Sequence, residues 1–131
     1  MADQIRLEIG TIVLDWSPWN RWPDILIDNR GGRGVLIPNN TPGVYEVRYA
    51  HDEGGERLHI GKAADLRMRI RQALVKGAAK HSSGIRIRQQ EDVSGLVVRW
   101  AVTDRPAAAE EELHRRYRQE FCRPPKYTLV T

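Results

Sequence analysis

GVYEVRYAHDEGGERLHIGKAADLRMRI, residues 43–70, holds two alternating apolar runs, a loop and the start of a helix. Val44 to Ala50 and Arg57 to Ile60 flank HDEGG at 51–55, a hairpin signal. Alternation puts Tyr45, Val47 and Tyr49 on one face of the first strand, with Glu46 and Arg48 on the other. On the second strand Leu58 and Ile60 share a face and His59 points the opposite way. The spacing then predicts a helix over 64–76, with Leu66, Ile70, Ala73 and Leu74 as its apolar stripe. Arg67 and Arg71 fall on one border of that stripe. Arg69 falls on the other, beside Gln72 and Lys76, so the three arginines divide two against one.

Downstream, KGAAKHSSGIRIRQQEDVSG at 76–95 reads as a loop of small and basic residues. Within it Ile85 and Ile87 alternate with Arg86 and Arg88, which suggests a short strand with a cationic face, turned to phosphates or to solvent. LVVRWAVT at 96–103 reads as a third strand. Asp104, a candidate cap, and Pro106 introduce a second helix, PAAAEEELHRRYRQEF at 106–121. Its stripe is Ala109, Leu113, Tyr117 and Phe121, and Glu110 falls inside it. Glu111 and Glu112 point outward and can pair with Arg115 and Arg116. A carboxylate on a core-facing position costs several kcal/mol unless it is paired, hydrogen-bonded or bound to a metal. Glu110 is therefore either a structural partner of Arg69 or His114, or a metal ligand or acid–base group.

The first 41 residues stand apart, with strand-like runs RLEIGTIVL, ILID and GVLI and a punctuating IPNNTPG at 37–43. A β-rich extension over 1–41 and a domain over 42–131 are expected. Trp16, Trp19 and Trp22, near Arg21, either pack this extension on its domain or stack on bases. At 131 residues the chain is long enough for one core. No apolar run approaches the length of a membrane span, and MADQIRLEIG lacks a signal-peptide layout. Cys122 is the only cysteine, which excludes an internal disulfide and a cysteine metal cage. A reducing cytoplasm is the expected setting. Net charge is +4, and seven cations without an acid between 67 and 88 suit a polyanionic partner.

Taken jointly, Gly43-Val44-Tyr45, then His59-Ile60-Gly61-Lys62, then Leu66-x-x-Arg69, then Glu110 before Leu113, strongly resemble the GIY-YIG nuclease family. The resemblance runs from 42 to about 128 and includes Pro125-Lys126-Tyr127. It implies an α+β domain, a three-stranded antiparallel sheet flanked by helices, that hydrolyses nucleic-acid phosphodiesters, DNA foremost, at a single Mg²⁺ or Mn²⁺. By the same resemblance Glu110 is the metal ligand, Arg69 the phosphate-binding arginine and Tyr45 the first-motif tyrosine. His59 stands at the place of the second-motif tyrosine, and the products carry 5′-phosphate and 3′-hydroxyl ends. Gly61 would let the backbone come close to substrate. Lys62 follows the second-motif glycine as a family lysine often does and is a candidate substrate contact, while Arg67 and Arg71 are helix-surface cations available to flanking DNA or to water.

The chemistry suits these residue types. A hard divalent ion takes oxygen ligands and keeps most of its waters, so one carboxylate can suffice. An arginine fork can clamp two phosphate oxygens, and an imidazole can take a proton near its reference pKa of about 6.5. The chain departs from the family at His59, at Thr128, which aligns loosely with an asparagine, and at Ala73, where a ring is common. His81 is a candidate replacement for that ring, though the sequence does not fix its position. The rival expectation is a nucleic-acid-binding module that keeps the fold without the chemistry.

Overall fold

The computed structural model describes residues 10–27, 35–52 and 54–128. The remainder, including residues 6–9 of the run RLEIGTIVL and the DNRGGRG segment at 28–34, lies outside the described residues. The fold is α+β. Strands β1 (Asn20–Arg21), β2 (Gly43–Tyr49), β3 (His59–Ala63) and β4 (Leu96–Val102) form one antiparallel sheet in the order β1-β4-β2-β3. The expected sheet had three strands. The fourth comes from the extension, where Asn20 and Arg21 pair with Val98 and Val97. Ser17 prolongs that contact, its N–H donating to the Trp100 carbonyl (2.8 Å) and its Oγ accepting from the Trp100 N–H (3.0 Å). The described parts of the other runs expected as strands, 10–14, 25–27 and 35–37, carry none.

Strand β2 is central, and Tyr45 sits between Gly61 of β3 and Trp100 of β4. Its odd face (Tyr45, Val47) joins Val98 and Trp100 in the main core. The helices on this face are α1 (Trp22–Ile25), α2 (Met68–Val75) and α3 (Ser82–Gln90). Trp22, Ile25 and Ile37 belong to the same cluster, so extension and domain share one hydrophobic interior. Helix α4 (Pro106–Phe121) lies against the other face, where Ala109 meets Val44 and Ala101. Burial of each large apolar side chain contributes about 1.5–3 kcal/mol, which makes Trp22 a packing residue.

Helix α2 is π-helical, closing with Lys76 N–H on the Arg71 carbonyl at 2.9 Å, a geometry often found near functional sites. Leu66, Ile70, Ala73 and Leu74 are buried as the stripe predicts. The short strand expected at Ile85–Arg88 is instead part of α3. Ile87 is buried while Ile85 is 37% exposed. Gly84 lets α3 close on α2, since a Cβ there would come within 3.1 Å of the Leu74 carbonyl oxygen. Arg88 then donates to the Ala73 and Leu74 carbonyls at the end of α2 (3.1 and 2.5 Å), satisfying terminal acceptors that the helix leaves free.

The even face of β2 carries a second polar assembly. Glu46, 4% exposed, accepts from Arg57 Nε (3.1 Å) and Arg99 Nε (2.8 Å), which offsets the cost of burying its charge. The guanidiniums of Arg48, Arg57 and Arg99 lie 4.4, 5.0 and 4.6 Å from the Trp19 ring, and Arg99 lies 4.1 Å from Trp16. Trp16 and Trp19 are thus occupied in packing the extension through cation–π contacts. Their partners are these three arginines rather than Arg21.

Candidate active site

Among the described residues the outer edge of β3 is not paired with another strand, and the two faces of the sheet meet there. A cavity of about 380 Å³ opens at this edge, lined by His59, Arg69, His81, Glu110, His114 and Thr128 among others. Arg69 arrives from α2, His81 from the residue preceding α3, and Glu110 and His114 from α4. Residues far apart in sequence converge because α2 and α3 cover one face of β3 while α4 covers the other.

Behind the cavity wall three rings form a triangle: Tyr45, His59 and His81 have centroids 5.4, 6.2 and 5.4 Å apart. Proton directions follow from their partners. The Gly84 N–H donates to His81 Nδ1 at 2.8 Å, which also caps α3, so the proton of the neutral ring sits on Nε2. That Nε2–H donates to Tyr45 Oη at 2.6 Å. The Tyr45 hydroxyl proton is left for His59 Nε2 at 3.2 Å, and His59 Nδ1–H donates to Thr128 Oγ1 at 3.2 Å. His81 is therefore locked by two short bonds. His59 is held by two long ones that a cavity water can displace.

Both histidines are buried, and burial favours their neutral forms. The His59 pKa lies well below 6.5, lowered by burial and then by His81, His114 and Arg69. That of His81 falls to about 4, through burial and Arg69. The titration expected for His59 near 6.5 is accordingly displaced downward, because the ring is out of water and faces a guanidinium. Burial also raises the Tyr45 phenol to about 12, against the opposing charge of Arg69, so Tyr45 stays protonated. Tyr45 is fully buried and does not line the cavity. It touches the reaction space through the two histidines.

Glu110 is half-buried at the cavity wall. Neither structural pairing considered for it forms. Among the described residues it makes no ion pair, and His114 Nε2 instead bonds the Ile60 carbonyl at 3.2 Å. Glu112 binds both Arg115 and Arg116, where two separate pairs were expected. No group of three or more His, Cys, Asp or Glu side chains capable of caging a metal occurs among the described residues. A single carboxylate with free lone pairs, opening into a polar cavity, nonetheless fits a hard ion that retains its waters.

The residues expected to contact substrate divide. Lys62 is exposed but lies beside a neighbouring groove rather than in this cavity. Gly61 has a different reason to be glycine: a Cβ there would lie 2.5 Å from Tyr45 Oη and 2.8 Å from His59 Nε2. It makes room for the ring triangle. Arg67 and Arg71 are not free surface cations. Arg67 Nε donates to the Ile37 carbonyl (2.8 Å), and Arg71 donates to those of Ile25 (2.8 Å) and Val35 (2.6 Å). They tie the extension to α2. Thr128, expected loosely at an asparagine position, lies in the cavity and bonds both His59 and the Ile60 N–H (3.2 Å). His81 is the residue that sequence reasoning left unplaced; its signal was HSSG, a capping residue before small helix-forming positions.

No known family profile matches the chain, and no curated protein sequence matches it. Among solved structures it is similar to the GIY-YIG N-terminal endonuclease domain of UvrC from Thermotoga maritima, a tyrosine-to-phenylalanine point mutant bound to its catalytic divalent cation. That likeness has 27% identity over 72% of this chain and 90% of the other, with a TM-score of 0.48.

Proposed function

We propose that the protein is a GIY-YIG-type, divalent-metal-dependent endonuclease of the cytoplasm, hydrolysing nucleic acid, DNA foremost, to 5′-phosphate and 3′-hydroxyl ends. In this reading residues 42–131 are the nuclease domain and 1–41 an extension packed on it. The observation that carries it is the convergence of Arg69, a Glu110 carboxylate without an ion pair among the described residues and a buried neutral imidazole on one cavity, together with the motif order in the sequence.

Glu110 holds the ion, Mg²⁺ or Mn²⁺, which when bound neutralises phosphate charge and stabilises the departing oxygen. Arg69 clamps the non-bridging oxygens of the same phosphate. A cavity water displaces the long Tyr45 contact and donates its hydrogen bond to His59 Nε2. As that water attacks phosphorus and the bond to the 3′-oxygen breaks, its proton passes to His59, and the 3′-oxygen takes one from solvent. The rings of Tyr45 and His81 stay packed against His59, and Thr128 fixes its other ring nitrogen.

The test is a panel of labelled DNA and RNA forms with Mg²⁺, Mn²⁺ or chelator. Wild type cleaves only with metal. Glu110→Gln loses cleavage while anisotropy shows binding intact and the melting temperature is kept. Wild-type turnover in Glu110→Gln refutes the ligand assignment. No cleavage of any form by wild type, with binding retained, returns the reading to a binding module.

A further inference from the structure

We infer that a second groove sharing Arg69 receives an unpaired nucleotide next to the scissile phosphate, so that the preferred substrate has a single-stranded flank at the cut. This rests on the nuclease reading and names the substrate class of that site. The groove is open to solvent and offers about 600 Å³, within the roughly 300–1,000 Å³ that accommodates organic ligands. Arg69 lines both it and the 380 Å³ cavity. A strand whose phosphate rests on Arg69 therefore has room in the groove for the adjoining nucleotide.

The lining has two chemistries. Lys62, Arg69 and Lys80 bring cations to the groove, against the single acid Asp65, whose Oδ1 accepts from the Met68 N–H at 3.3 Å. That excess suits a phosphate backbone. The rest includes the exposed Ala64, Ala79 and Ala107 and the half-exposed Met68. These side chains carry no strong hydrogen-bonding group, so they cannot read a base edge. They offer dispersion contact to a ring face, and the Met68 thioether adds a favourable sulfur–aromatic contact. In a duplex the ring faces are stacked and only groove edges are presented. Intact duplex would leave this apolar surface bare, whereas an unpaired base covers it without regard to sequence.

The experiment uses one labelled strand in two forms, fully paired or with an unpaired tail. Both are tested for cleavage with Mg²⁺ or Mn²⁺, and for binding by anisotropy in chelator. Wild type favours the tailed form by about tenfold. Ala107→Glu, at an exposed position early in α4, puts a carboxylate into the groove and removes the preference, leaving the paired form within about twofold. Ala79→Glu, on an exposed loop, reads the same groove should the first variant disturb α4. Equal handling of both forms by wild type overturns the inference, as does an equal loss on both forms in the glutamate variants. If nothing is cleaved but the tailed form still binds better and both glutamates erase that, the groove stands and the nuclease reading falls.

Discussion

The two flanks of α2 carry the same residue type in opposite roles. On one flank Arg67 and Arg71 donate to the backbone carbonyls of Ile25, Val35 and Ile37. On the other, Arg69 is exposed, forms no ion pair among the described residues, and stands between two cavities. The difference comes from what each flank faces. Ile25, Val35 and Ile37 lie outside the strands and have carbonyls to satisfy, and arginine, with five donors, satisfies several at once. A flank facing open space keeps its cation for a ligand.

This contrast can be broken most directly at Arg69. Arg69→Ala should lower turnover at saturating substrate by about 100- to 1,000-fold, the range for losing one preorganised donor, with the urea midpoint nearly unmoved. Arg71→Ala should do the reverse, lowering stability by about 2 kcal/mol through its two charge-assisted bonds while turnover holds. Arg67→Ala, losing one bond, should cost about 1 kcal/mol. Equal loss of turnover in all three variants, with stability intact, would erase the distinction between the flanks.

A gentler probe is pH. Because the His59 pKa is well below 6.5, the rising limb of kcat/KM assigned to it should also lie well below 6.5; a limb centred there would refute the buried neutral ring. His59→Ala should remove that limb with most of the turnover while leaving binding. Stability gives the smallest effect. His59 and His81 have folded pKa values below the unfolded one, so the unfolded chain binds more protons. Stability is then full above about pH 6.5 and declines as pH falls toward about 4 for His81. His81→Asn keeps a capping acceptor and should flatten part of that decline in urea titrations from pH 7 to 5.

The hairpin, the burial stripe of α2 and the odd position of Glu110 were legible in the sequence because each depends on local periodicity. The Arg67–Arg69–Arg71 division was legible as geometry but not as role, since nothing local says that carbonyls of Ile25, Val35 and Ile37 will arrive. The region over 82–90 misled because Ile85 and Ile87 mimic a strand, while its packing face is made of Ser83, Gly84 and Ile87. Only its long-range fit to Leu74 makes that face helical. His81 was legible as a candidate ring but not in its place: that needs a helix to cap and a tyrosine 36 positions away.

The outer edge of β3 has one more consequence. Its backbone is occupied by Tyr127 N–H on the Leu58 carbonyl (2.8 Å), Thr128 on the Ile60 N–H and His114 on the Ile60 carbonyl. Ser83 Oγ pins the Tyr127 carbonyl at 2.6 Å. The same segment that closes the reaction space thus keeps a strand from templating intermolecular pairing. Deleting residues 125–128 should yield β-linked self-association, visible as higher-mass species in light scattering, alongside any loss of chemistry. Monodispersity and the reacting geometry are guarded by one stretch of chain.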